Sequence, residues 1–299
     1  MALQRSSHLG EAAARPRPAL PLILEDIKLA HTVFAMPFAL MGALLAADGL
    51  PSLWELTWIV VAVVGARSAA MAFNRLVDAP LDAAHDRTEG RPLPSGKASP
   101  RHYKAFIACS IALFELAAWM LNSLAFLLSP VVLAIILGYS YTKRFTRWSH
   151  LWLGVALACA PIGAWIAIRG DIALAPLLLG VAVAFWVAGF DTLYACQDVE
   201  HDAAMGLQSL PRALGLKGAL HAARAFHVLM VVALVGLLFA AGLGWIYLAG
   251  VLVAVGLLVY EHILVRPEDL SRLPVAFLHI NGLVSFTLLA ATGIERIVL

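Results

Sequence analysis

The segment 67–82, RSAAMAFNRLVDAPLD, closes an apolar run with two carboxylates four residues apart, Asp78 and Asp82. The run is long enough to lie within a membrane, where ionisable groups are costly and concentrate at functional sites. The pattern recurs 120 residues later, where Tyr194, Asp198 and Asp202 stand at the offsets of Asn74, Asp78 and Asp82, preceded by Asp191. At about 100° per residue, Arg67, Asn74, Asp78 and Asp82 share one face of a helix, and so do Asp191, Tyr194, Asp198 and Asp202. Pro80 is expected to loosen the first helix around Asp82, because proline has no N–H and its ring crowds the preceding turn.

Outward from these two segments the chain reads as scaffolding. Of 299 residues, 62% are hydrophobic and 13% charged, about half the charged fraction of a soluble domain. The expected fold is all-α, a multi-pass bundle in a lipid bilayer. Apolar runs near the roughly 20 residues that cross a hydrocarbon core fall at 29–47, 54–77, 104–122, 124–141, 150–168, 172–194, 219–242, 245–264 and 273–294. That makes nine transmembrane helices. Residues 225–260 hold no Asp, Glu, Lys or Arg and are too long for one span; Gly242 and Gly244 supply the turn. In the first span Pro37 is expected to introduce a kink, and His31 reads as a packing residue.

Charge then orients the bundle. With the amino terminus in the cytoplasm, 18 of the 21 Lys and Arg fall on the inside, Arg169 and Arg296 fall outside, and Arg67 lies within a span. This is the asymmetry expected of cytoplasmic loops, and it puts both acidic motifs on that side. Residues 1–18 read as a flexible cytoplasmic tail and 19–299 as a single nine-helix domain. The loops 78–101 and 195–217 share a grammar, an acidic helix end followed by Leu93-Pro94 or Leu210-Pro211, as an internal duplication would leave. A net charge of +2 makes no case for nucleic acid, and Cys109, Cys159 and Cys196 are too dispersed for a zinc site or a disulfide framework.

Two such helix ends meeting at one membrane surface bring Asp78, Asp82, Asp198 and Asp202 together with Asn74. This is a hard, oxygen-rich set suited to magnesium, which is held by a few carboxylates together with substrate phosphates. Arg87 and Arg91 follow the first motif, Lys143 and Arg144 the fourth span, and Arg212 and Lys217 the second motif. Cations around metal-binding carboxylates suit a diphosphate leaving group, on whose oxygens charge develops as the carbon–oxygen bond breaks. Arg67, on the motif face, is a further candidate for a substrate anion.

These residues resemble the UbiA superfamily of intramembrane prenyltransferases. The resemblance rests on Asn74-x3-Asp78-x3-Asp82, on Arg87-Thr88-x2-Arg91-Pro92-Leu93-Pro94-x-Gly96, on Tyr141-Thr142-Lys143-Arg144, and on Asp191-x2-Tyr194-Ala195-x2-Asp198-x3-Asp202. It implies nine helices around a central cavity, a polyprenyl diphosphate donor, Mg2+ and an aromatic acceptor. It implies that Asn74, Asp78, Asp82, Asp198 and Asp202 hold the magnesium diphosphate, that Arg87, Lys143 and Arg144 neutralise the leaving group, and that Asp191 and Tyr194 lie near the acceptor. Asp191 is then a candidate base for its hydroxyl. Residues 27–38 look like the branch that prenylates 4-hydroxybenzoate for ubiquinone, and also like proteins of the futalosine route to menaquinone. Arg75 stands where many members carry Asp, and this bears on the acceptor. The implied location is a bacterial inner membrane. The competing class is a multi-pass cation or metabolite transporter with the acidic pairs as its coupling site.

Overall fold

The structure, a computed structural model, describes residues 18–28, 35–266, 270, 272–273 and 276–298. The sequence-based expectations for His31 and for the tail before Pro18 lie outside them. Eleven α-helices occur among the described residues: α1 (Ala19–Asp26), α2 (Met36–Ala47), α3 (Leu53–Ala83), α4 (Pro100–Leu121), α5 (Ser123–Thr142), α6 (Ser149–Arg169), α7 (Leu174–Ala195), α8 (Val199–Ala204), α9 (Leu210–Ala240), α10 (Trp245–Leu264) and α11 (Asn281–Ile297). Eight helical segments among the described residues are long and apolar enough to cross a membrane. The first expected span, 29–47, contributes the shorter α2, with residues 29–34 outside the described residues. The chain is an all-helical integral membrane protein.

Helix ends are fixed by local chemistry. Ser52 and Glu55 form a reciprocal capping box at the start of α3. The Asn122 side chain caps α5 at Ala125 N and donates to the carbonyls of Ile166 and Ala167, so one residue finishes two helices at the end opposite the acidic motifs. Pro37 occupies the first turn of α2, where its missing N–H is an orphan in any case, so it starts that helix and does not kink it. Residues 19–26, assigned no element from the sequence, form α1.

Packing uses small residues to bring backbones together, as lipid-embedded helices do. A Cβ added at Gly154 in α6 would stand 2.1 Å from the Ala184 carbonyl oxygen of α7, and one at Gly42 in α2 would stand 2.4 Å from the Pro161 carbonyl oxygen. The span containing α7 is the most enclosed. Its Trp186 packs against Phe38 and Phe190, with ring centroids 4.9 Å apart in both cases, and donates its indole N–H to Asn281, which in turn donates to Glu261. The carboxyl ends of α3, α5 and α7 and the amino ends of α4, α6 and α9 gather at one end of the bundle, the motif end, where the cavity described below opens.

Candidate active site

Asn74, Asp78 and Asp82 project from the last three turns of α3. The helix runs unbroken to Ala83 with Pro80 inside it, which corrects the expected loosening. Proline this near a helix end removes one late hydrogen bond and leaves the following turn to close normally. Asp78 is buried; its Oδ2 accepts from Lys143 Nζ at 2.6 Å and from Asn74 Nδ2 at 3.0 Å, and its Oδ1 from Arg144 Nη2 at 3.1 Å. Arg91 Nη1 donates to both oxygens of Asp82 at 2.7 Å, and Thr88 Oγ1 donates to the Asp82 carbonyl, folding the loop back onto the helix.

The second motif does not continue as one helical face. α7 stops at Ala195, a 3-10 turn covers Cys196–Asp198, and Asp202 lies on the separate α8. Three residues at about 120° each, in place of 100°, rotate the succeeding residues by roughly 60° relative to an α-helix. Asp191, Tyr194, Asp198 and Asp202 therefore do not share one continuous helical face, although all four line the same cavity. A long-range contact accompanies the break. Arg87, from the loop after the first motif, donates from Nη2 to both Asp198 oxygens at 3.1 and 3.0 Å and from Nη1 to Tyr194 Oη at 3.0 Å. The second motif's loop is also tied to the end of α5, where Gln208 N donates to the Lys143 carbonyl at 2.7 Å.

Between these elements lies a cavity of about 160 Å³, lined by Asn74, Lys143, Asp191, Tyr194, Asp198 and Asp202 together with Tyr139, His150, Gln208 and Ser209. A cavity of about 150 Å³ accommodates benzene, so this one has room for a single aromatic ring. Asp191, on the last turns of α7, accepts from His150 Nδ1 at 2.7 Å. The sequence did not single out His150, Tyr139, Gln208 or Ser209. His150 opens an apolar span just after Lys143 and Arg144, yet nothing along the chain announces its partner.

Not every expected residue meets the cavity. Asp78, Asp82, Arg87, Arg91 and Arg144 stand behind its wall and act on it through their partners. Arg67 is turned toward the segment after α1, where Nη2 donates to the Lys28 carbonyl at 3.4 Å. Arg75 is buried and points to α1, with Nε 3.3 Å from Asp26 Oδ1, an ion pair reinforced by Tyr103, which donates to Asp26 Oδ2. The motif end is electropositive. Partial burial, and then the charges of Arg75, Arg91 and Arg87, pull the Lys28 ammonium below its ordinary range.

An apolar helical bundle that closes one end over interleaved carboxylates and cations is laid out as a membrane enzyme for an anionic head group on an apolar tail. Residues 35–283 match the UbiA prenyltransferase family. The chain is 36% identical over 241 residues to a 4-hydroxybenzoate octaprenyltransferase of Aeromonas salmonicida, covering 79% of this chain and 82% of that one. It superposes on a UbiA homolog from Aeropyrum pernix K1 with a TM-score of 0.80 and 35% identity, over 88% of this chain and 97% of the other. A UbiA homolog from Archaeoglobus fulgidus bound to GPP and Mg2+ shares the fold at a TM-score of 0.68 and 22% identity, over 93% of this chain and 100% of that one. The chain belongs to the UbiA prenyltransferase family, and it is a prenyltransferase.

Proposed function

We propose that the protein transfers a polyprenyl chain from its diphosphate to an aromatic acceptor carrying a ring hydroxyl, 4-hydroxybenzoate or a related quinone precursor. The observation that carries this reading is one ring-sized cavity whose lining brings the carboxylate of Asp191 together with Lys143, Asp198 and Asp202. The reading also rests on the similarity to 4-hydroxybenzoate octaprenyltransferases. The bilayer would hold the polyprenyl tail, with the motif end on the cytoplasmic side of a bacterial inner membrane, as the Lys and Arg asymmetry supports.

The residues present fit magnesium. Among the described residues no three His, Cys, Asp or Glu side chains converge tightly enough to hold an ion by themselves. Magnesium does not need that, since it takes one or two carboxylates and completes its shell with water and substrate phosphates. Asp78, Asp82, Asp198 and Asp202, with Asn74, would hold it, and it would supply neutralisation of the diphosphate. The chain's own groups do the rest. Lys143, on the cavity lining, donates to the diphosphate oxygens as the allylic carbon–oxygen bond breaks and its electron pair leaves with the diphosphate, while Arg144, Arg87 and Arg91, bonded to the motif carboxylates, add positive charge around it. The apolar bundle excludes water, which would otherwise capture the allylic cation. The ring faces of Tyr139 and Tyr194 offer cation–π stabilisation. Asp191 accepts the hydroxyl proton of the acceptor, raising electron density on the ring carbon that forms the new bond; the ring proton then leaves to the released diphosphate, and Asp191 returns its proton to the ring oxygen, which restores the hydroxyl and the carboxylate.

The test is a product assay. Purified protein in lipid nanodiscs, given Mg2+, a long-chain prenyl diphosphate and 4-hydroxybenzoate, is expected to yield the prenylated acid by mass spectrometry. Product from a futalosine-type acceptor in its place keeps the reaction and changes the acceptor. No prenylated product with any aromatic acceptor, together with metal-dependent ion flux in proteoliposomes, would overturn the reading.

A further inference from the structure

The His150 ring, at the start of α6, is buried against α7 and α9, and both of its nitrogens are engaged. Leu210, the first residue of α9, directs its backbone N–H at His150 Nε2 at 3.4 Å. An imidazole nitrogen that accepts leaves its proton on the other nitrogen. Nδ1–H therefore donates to Asp191 Oδ2, at 2.7 Å. The helix crossing that sets this distance is fixed one turn away, where Gly154 lets α6 lie against the Ala184 carbonyl of α7. His150 is 4% exposed, whereas the Asp191 side chain is 20% exposed and lines the cavity. One carboxylate edge is thus occupied from inside the protein.

We infer that His150 is a positioning residue for Asp191: its Nδ1–H holds one carboxylate oxygen, orienting the group so that its other oxygen meets the acceptor's hydroxyl. The inference rests on the reading of Asp191 as the base. The rival explanation is visible in the same geometry, because the Leu210 N–H is one of the unsatisfied donors at a helix start, and His150 could serve merely to cap α9.

The two ring nitrogens make these roles separable. In His150→Asn the amide nitrogen sits two bonds beyond Cβ, as Nδ1 does, and can still donate to Asp191 but not reach Leu210. In His150→Gln the amide reaches the position of Nε2 and serves Leu210 instead. His150→Leu removes both contacts. Kinetics in nanodiscs with 4-hydroxybenzoate and a long-chain prenyl diphosphate are expected to show kcat down about tenfold to a hundredfold in His150→Leu, a part of the 10²–10⁴ that a general base contributes. KM for the prenyl diphosphate should stay within about twofold. His150→Asn should recover most of that activity, and His150→Gln little of it. Added to Asp191→Asn, His150→Leu should cost nothing more, since the two act as a unit.

Recovery by Gln and not by Asn, or equal activity in all three variants, would overturn the inference. So would a fall in kcat in His150→Leu accompanied by a matching rise in KM for the prenyl diphosphate, which marks general disruption. Asp191→Asn with wild-type kcat defeats the underlying reading of the base. Asp191→Asn inactive beside an unimpaired His150→Leu defeats the positioning role alone.

Discussion

Asp78 and Asp82 leave α3 from consecutive turns of one unbroken helix, behind the cavity lining, and each is held by cations, Asp78 by Lys143 and Arg144 and Asp82 by Arg91. Asp198 and Asp202, at the same spacing in the second half, are divided between a 3-10 turn and the short α8, and both face the cavity. Asp78 is 4% exposed at its side chain and Asp198 23%. The same four-residue spacing therefore serves two ends. The first half is a rigid anchor that fixes Lys143, Arg144 and Arg91, whereas the second half presents oxygen atoms to whatever occupies the cavity. Arg87 joins them, leaving the first motif's loop to bond the second motif's Asp198 and Tyr194.

The comparison is broken most directly by neutralising one carboxylate from each half. Asp78→Asn and Asp198→Asn should each lower product formation by roughly 10³-fold, the scale of charge stabilisation at a reacting diphosphate. Thermal unfolding should separate them. Asp78→Asn removes the common partner of Lys143 and Arg144 at a buried position and is expected to lower the melting temperature by roughly 5 °C or more. Asp198→Asn should leave it within about 2 °C. Equal destabilisation in the two variants would erase the division between anchor and presenting half.

The link between the halves is tested next. Arg87→Ala should weaken prenyl diphosphate binding about tenfold to a hundredfold, because it removes a charge-assisted contact from Nη2 to both Asp198 oxygens and the Nη1 bond to Tyr194. Arg91→Ala, which removes a contact to both Asp82 oxygens but none to the second motif, should cost less. Binding measured by tryptophan fluorescence or calorimetry that ranks them the other way would place the link at Asp82.

Arg75 sharpens the comparison from outside it. Its guanidinium reaches to Asp26 and ties α1 to α3, and its Nη1 also donates to the neighbouring Asn74 Oδ1 at 3.4 Å. Arg75→Leu is expected to lower the melting temperature and to leave acceptor preference unchanged in a panel of aromatic acids, with activity within about threefold. A changed preference would return Arg75 to the acceptor question in which its sequence position placed it.

The spans, the two motifs and the polar character of one end were legible because each depends on the order of residues along the chain. Hydrocarbon thickness sets the length of an apolar run, and a spacing of four marks neighbouring turns. The features that were not legible depend on contacts between distant segments. The 3-10 turn at Cys196–Asp198 has no proline or glycine to announce it, and its visible counterpart is Arg87, 111 residues earlier in the chain. Arg75 could be assigned a direction only once α1 brought Asp26 beside it. His150 gained significance only from an antiparallel crossing of α6 and α7 that sets it against Asp191.

Pro80 is the point where a sound local rule gave way to position, and it yields the smallest expected effect. In a helix interior proline costs about 3 kcal/mol, through a missing hydrogen bond and a clash with the carbonyl four residues back. Pro80 stands three residues before the end of α3, and the turn after it is secured independently: Arg91 grips Asp82, and Thr88 bonds the Asp82 carbonyl. If those bonds hold Asp82 in place, Pro80→Ala restores one backbone bond without moving the carboxylate. Stability should rise by no more than about 1 kcal/mol, and kcat and KM should stay within about twofold of wild type. If instead the proline sets the direction of Asp82, the same substitution should lower prenyl diphosphate affinity. Adding Thr88→Val to Pro80→Ala discriminates further: without the Thr88 hydroxyl bond to the Asp82 carbonyl, the anchor half should loosen, so that kcat falls and prenyl diphosphate affinity falls with it, while Thr88→Val alone is buffered by Arg91.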